Sequence, residues 1–148
     1  MVPIYDQYSF NFFTINTFSQ QDDKLGMLIA FQNIKTIYLL LIRFKGQIKE
    51  AENLYALPEA YSMIKLKGDS IYLGHDKAVD HYYVLENELK LWGRMVETAQ
   101  IVRFEVYETT LAYTTDEYYF SKYDRLIYFI NLEDKTTKRI LRILPRNC

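Results

Sequence analysis

The sequence predicts an all-β fold, mainly an antiparallel meander, as one domain over residues 1–148. Three observations point there. Val, Ile, Tyr, Phe, Trp and Thr supply 54 of the 148 residues, and these side chains suit a pleated, half-buried surface. Alanine, the best helix former, occurs seven times. Several short segments alternate or run continuously apolar in the manner of strands. With five glycines and three prolines, the turns must come from Asn, Asp and Lys, or one or two connections must be helical. The expectation is eight to ten short strands with one or two short helices. The alternative is α+β, with helices near Ser19 to Asn33 and Leu91 to Gln100.

Six aromatics scattered among Ser, Asn and Thr make Tyr5 to Phe18 one or two strands. The polar stretch Ser19 to Lys24 caps a short helix through Leu25, Leu28 and Ile29, or else turns into a strand Met27 to Phe31. Thr36 to Phe44 is a strand buried on both faces, because Ile37 to Ile42 is unbroken apolar. Ile48, Ala51 and Leu54/Tyr55 have helical spacing, ended by Pro58. Ser70 to Leu73, His81 to Leu85 and Leu89 to Trp92 read as strands, although Leu91/Trp92, Met95/Val96 and Ala99 also fit a helix. Ile101 to Tyr107 alternates cleanly. Tyr118 to Phe120, Leu126 to Leu132 and Lys138 to Leu144 complete the strands.

A shift of 45 residues superposes Ile37-Tyr38-Leu39-Leu40, Tyr82-Tyr83-Val84-Leu85 and Ile127-Tyr128-Phe129-Ile130, and aligns Lys45, Lys90 and Lys135. Ala56 to Met63 and Ala99 to Val106 share a second pattern: Ala, four residues, aromatic, one residue, apolar. The meander is therefore expected to consist of repeat-like units of about 45 residues. These segments resemble the bacterial DKNYY-motif repeat family, whose units run Tyr-Ala-Lys-Asp-Lys-Asn-x-Val-Tyr-Tyr and then Ala-Asp-Pro-x-Thr-Phe-x-Val. Phe120 to Phe129 follows the first half without a gap, and His75 to Tyr83 follows it with one extra residue. Ala56 to Met63 and Ala99 to Val106 follow the second half. The family's Asn is missing, Asp stands in register only at Asp76, and Tyr123 takes its place in the last unit. The resemblance covers roughly Thr36 to Leu132; it implies a small β-rich repeat unit and supplies no catalytic residues.

Eighteen basic and nineteen acidic side chains leave a net charge of −1, which offers no general field for nucleic acid or an anionic membrane. Lys138, Arg139, Arg142 and Arg146 form only a local basic patch. One cysteine, Cys148, excludes an internal disulfide framework. The longest apolar run is far short of the roughly 20 residues that cross a bilayer. No export signal is visible at Met1 to Asp6, so a cytoplasmic location is expected.

Two groups of residues suggest chemistry. Lys67-Gly68-Asp69-Ser70-Ile71-Tyr72-Leu73-Gly74 resembles the nucleophile block of the Gly-Asp-Ser hydrolases. That reading needs His75 or His81 as the base, because no histidine follows His81. The bland alternative is a Gly-Asp turn feeding a strand. His75, Asp76, Asp80 and His81 have the donor types of a divalent-metal site. An extended strand would hold the two histidines about 20 Å apart, so a solvated turn is expected and neither metal nor cofactor is assigned. The fourteen tyrosines are the remaining anomaly, since tyrosine joins a large rigid contact area to a polar tip. Interface candidates are Tyr82, Tyr83, Tyr118, Tyr119 and Tyr123. The leading expectation is a non-catalytic module that binds a protein partner, such as a small bacterial accessory or immunity-type protein. The alternatives are a small serine hydrolase centred on Ser70 and a repeat protein that self-associates through an open sheet edge.

Overall fold

The computed structural model describes residues 13–98, 100–116, 125–135 and 137–143. All secondary structure in them is strand. Twelve strands run in order: β1 Phe13–Gln21, β2 Lys24–Phe31, β3 Ile37–Lys45, β4 Ile48–Ala56, β5 Met63–Lys67, β6 Ser70–His75, β7 Ala78–Leu85, β8 Glu88–Glu97, β9 Ile101–Tyr107, β10 Thr110–Thr115, β11 Arg125–Asn131 and β12 Thr137–Ile143. They form three four-stranded sheets, β1 to β4, β5 to β8 and β9 to β12, each paired antiparallel in chain order. The all-β meander expected from composition is the observed architecture. The strand Tyr118 to Phe120, with its tyrosines Tyr118 and Tyr119 and the nearby Tyr123, lies outside the described residues.

The segments with helical spacing are strands. Ile48 to Tyr55 lies in β4, Lys24 to Phe31 is β2, and Leu91 to Glu97 belongs to β8. Beta-bulges explain two of these misreadings. Arg43 pairs with Ala51 and Phe44 with Lys49, leaving Glu50 as an extra residue in β4. In β8, His81 pairs with Gly93 while Tyr82 pairs with Leu91, and Val79 pairs with Val96 while Asp80 pairs with Arg94. Trp92 and Met95 are thus unpaired. Each extra residue shifts the side-chain alternation by one, so the apolar positions of a strand imitate a helical period.

The scarcity of glycine is met as composition requires. Asp22, Asn33, Glu86, Asn87, Gln100, Glu108 and Lys135 all take positive φ, alongside Gly46 and Gly68. In the β7–β8 hairpin Glu86 and Asn87 are both left-handed, the pattern of a two-residue turn whose twist matches its strands.

Apolar clusters hold the sheets together. Leu28 and Leu39 of the first sheet pack with Leu57, Tyr61, Ile64, Ile71, Leu73 and Tyr82. On the opposite face of the second sheet, Tyr72, Val79, Met95 and Val96 meet Ile101, Phe104, Leu111, Tyr113 and Ile130. A third cluster, Ile29, Phe31 and Leu40, lies on the other face of the first sheet. β5 packs against β1 on one side and β9 on the other, so the first strands of the three sheets lie side by side. Four-stranded meanders stacked face to face with adjacent first strands are arranged as consecutive blades of a β-propeller.

The segments aligned by the 45-residue shift all fall in third strands, β3, β7 and β11, but at different places along them. Those strands begin at residues 37, 78 and 125. Lys45 ends β3, Lys90 lies in β8, and Lys135 lies in the turn after β11.

Candidate functional site

The two histidines singled out in the sequence sit on opposite faces of the second sheet. β6 and β7 are joined by a tight turn in which His75 pairs with Ala78 and Tyr72 pairs with His81. His75 lies against Tyr61, with ring centroids 5.5 Å apart, on the side of the first sheet. His81 stacks on Tyr72 at 4.6 Å, on the side of the third. The sheet itself therefore divides the proposed His75/Asp76/Asp80/His81 grouping into two sites.

The first site is a network around Asp80. Asp80 is 1% exposed, in the interior of β7 rather than in the solvated turn expected for it. The bulge in β8 sets Arg94 opposite it. Arg94 donates to Asp80 through Nε at 2.7 Å and Nη2 at 3.1 Å, and to Glu59 through Nη2 at 2.8 Å. The Tyr61 hydroxyl donates to Asp80 at 2.5 Å and lies 2.9 Å from that of Tyr82. His75 Nε2 meets Glu59 Oε1 at 3.0 Å. Burial pushes the Asp80 carboxyl up, but Arg94 and Tyr61 outweigh it and hold it below its ordinary value. Burial and the bond to Asp80 push the Tyr61 hydroxyl far up, so it remains a donor.

Donor atoms of Glu59, His75 and Asp80 lie within 4.8 Å of one another, close enough for a divalent ion. Arg94 already bonds both carboxylates, so its cation offsets one of their two negative charges from within. Arg94 and Glu59 were not legible in the sequence. The available signal was Asp80 itself, a lone carboxylate between Val79 and Tyr82 in a strand with two apolar faces.

The second site lies on the other face. His81 Nε2 is 2.8 Å from Ser70 Oγ, so the serine and the base that the sequence could only suggest are in contact. Burial, followed by the charge of Lys135, depresses the His81 pKa, keeping the imidazole neutral at pH 7. Trp92 covers the outer side of His81 at 5.9 Å and meets Tyr83 edge-on at 5.7 Å. Among the described residues no carboxylate bonds His81 Nδ1. The cavity beside Gly68 and Asp69 is lined by Ile71 and Val84, not by Ser70 or His81.

The interface candidates divide as well. Tyr82 is 5% exposed and serves the core, with its hydroxyl in the Asp80 network. Tyr83 is half-buried beside Trp92. Trp92, which sequence reasoning passed over as a binding residue, is 65% exposed. It is the extra residue of a bulge, and Leu85, on the same face of β7 as Tyr83, is 53% exposed.

No family model matches the sequence, and no curated protein matches it. The chain is similar in structure to the Pyrococcus horikoshii acylaminoacyl peptidase, with a TM-score of 0.65 and 10% sequence identity over 91% of this chain. It spans about a quarter of that protein's length (25%). At this identity the likeness concerns the fold alone. Among the described residues, no helix is long and apolar enough to cross a membrane.

Proposed function

We propose that this chain is a non-catalytic protein-binding module whose contact surface is centred on Trp92 of the β7–β8 hairpin. The observation that carries this reading is the exposed tryptophan, backed by Tyr83 and His81, with the exposed Leu85 on the same face of β7 as Tyr83. A large ring held in place by its neighbours loses little side-chain freedom on binding, and Trp and Tyr dominate binding hot spots for that reason. With a partner in hand, Trp92→Ala is expected to weaken binding about thirtyfold, the scale of a hot spot. Val102→Ser, at an equally exposed site on β9, is expected to leave binding unchanged. Affinities measured by calorimetry decide this, and an unaltered affinity for Trp92→Ala removes the proposal.

A second reading, a small serine hydrolase, is favoured by the 2.8 Å contact between Ser70 and His81. It needs an orienting carboxylate and a substrate cavity opening onto Ser70. The binding-module reading expects no reaction of Ser70 with a fluorophosphonate probe. Labelling that is lost in both Ser70→Ala and His81→Gln would establish the hydrolase instead.

A further inference from the structure

A cleft of about 270 Å³ opens between the first and second sheets, on the end of the molecule that carries the β1–β2, β3–β4, β5–β6 and β7–β8 turns. One wall is Leu41, Asn53 and Tyr55 of the first sheet, and the other is Leu66, Ile71 and Val84 of the second. At Gly26, an added methyl would come within 3.0 Å of Ile64 and 3.3 Å of the lining residues Leu41 and Leu66. Bare backbone there lets the two sheets meet.

The mouth carries Lys24 and Arg43, which are direct cross-strand partners. Like charges set opposite each other on a sheet repel, so this pair works against the fold. The carboxylates that answer them stand in solvent. Asp69 is fully exposed 3.3 Å from Lys24, and Glu50 is half-exposed 3.3 Å from Arg43. Such exposed pairs are weak and exchange readily. Within the described residues Asn53 makes no side-chain hydrogen bond, which leaves its amide available in the wall. With Asp69 and Glu50 both counted the opening is neutral, so an incoming carboxylate would take the place of these exposed, weakly held side chains as the partner of Lys24 and Arg43.

We propose that this cleft binds a carboxylate carried beside a short apolar group, with the carboxylate at Lys24 and Arg43 and the apolar group between Leu41, Leu66 and Ile71. Two sources offer that chemistry: a free small acid, and the C-terminal residue of a peptide ending in an apolar side chain. The site lies on the opposite face of the second sheet from Trp92, so it stands or falls separately from the surface proposed above.

The test is a methyl NMR titration of Leu41, Leu66, Ile71 and Val84 in the full chain. The probes are 4-methylpentanoate, the peptide acetyl-Gly-Gly-Leu, and the same peptide amidated at its C-terminus. At least one free acid is expected to shift these methyls, and the amide is not. Shifts with 4-methylpentanoate alone identify a free acid, whereas tighter binding of the peptide identifies a chain terminus. Lys24→Met and Arg43→Met are each expected to weaken binding about ten- to a hundredfold, as loss of a charge-assisted hydrogen bond does. Lys24→Arg is expected to retain it. Lys24 is partly and Arg43 more fully exposed, and either change relieves the like-charge pair, so melting temperatures no lower than the wild type's would confirm that the variants fold. No shifts at millimolar probe, equal binding of the amide, or unweakened binding by both methionine variants overturns the proposal.

Discussion

Replacing Arg94 by methionine is expected to lower the unfolding free energy by about 3 kcal/mol at pH 7, read from urea unfolding. Removing one partner of a buried ion pair typically costs about 3–5 kcal/mol. The lower end applies because the Arg94 side chain is 36% exposed, so solvent already screens part of the interaction. Asp80→Asn leaves no orphan charge in the interior and is expected to cost less, about 1–2 kcal/mol for the weakened hydrogen bonds. The double variant Asp80→Leu/Arg94→Met is expected to recover most of the loss, since an apolar pair can replace a buried ionic one.

The same network fixes a pH signature. In the wild type the Asp80 carboxyl is held below its ordinary value, near 3.9 in an unfolded chain. Its contribution is therefore complete above that value and disappears as pH falls through the lower folded one. Without Arg94, burial remains and raises the carboxyl instead. The variant then gains stability as pH falls from neutral, while the wild type does not yet lose any. The gap between the two proteins should narrow between pH 7 and pH 4.5. A constant gap would mean that Arg94 acts through packing and not through the charge of Asp80.

Phe104→Ala is expected to be at least as costly, about 3–5 kcal/mol, because Phe104 is 2% exposed at the junction of the second and third sheets. Its ring is seated over Gly74, where a Cβ would lie 2.8 Å from Phe104 Cε1 and 3.3 Å from Met63 Cε. Gly74→Ala alone is expected to cost about 1–3 kcal/mol by overpacking. In the Phe104→Ala background the new methyl enters vacated space. The double variant should then be more stable than the sum of the single effects by about 0.5–3 kcal/mol. Strict additivity in a thermal or urea double-mutant cycle would show that the ring does not rest on Gly74.

Much of the architecture can be read from local pattern. The unbroken apolar run of β3 and the alternation of β9 are strand signals, and β-favouring side chains with few alanines lean toward sheet. Scarce glycine points to turns of Asn, Asp and Lys; Asp22, Asn33, Asn87 and Lys135 do take positive φ, while Glu86, Gln100 and Glu108 do so outside that expectation. The segments β4 and β8 defeat local reading because their bulges break the alternation on which it depends. The candidate sites separate in the same way. Ser70 and His81 can be named from residue type, as can Asp80, yet no pattern says that Ser70 and His81 touch, or that Arg94 lies beside Asp80.

What the sequence alone determined is the class of structure: extended strands joined by short polar turns, with enough apolar surface to stack. Pairing register and the stacking of sheets decided the rest. Because side chains alternate across a strand, a shift of one residue moves a group to the opposite face. That single-residue difference put His75 and His81 on opposite sides of one sheet, buried Tyr82 and turned Trp92 to the surface.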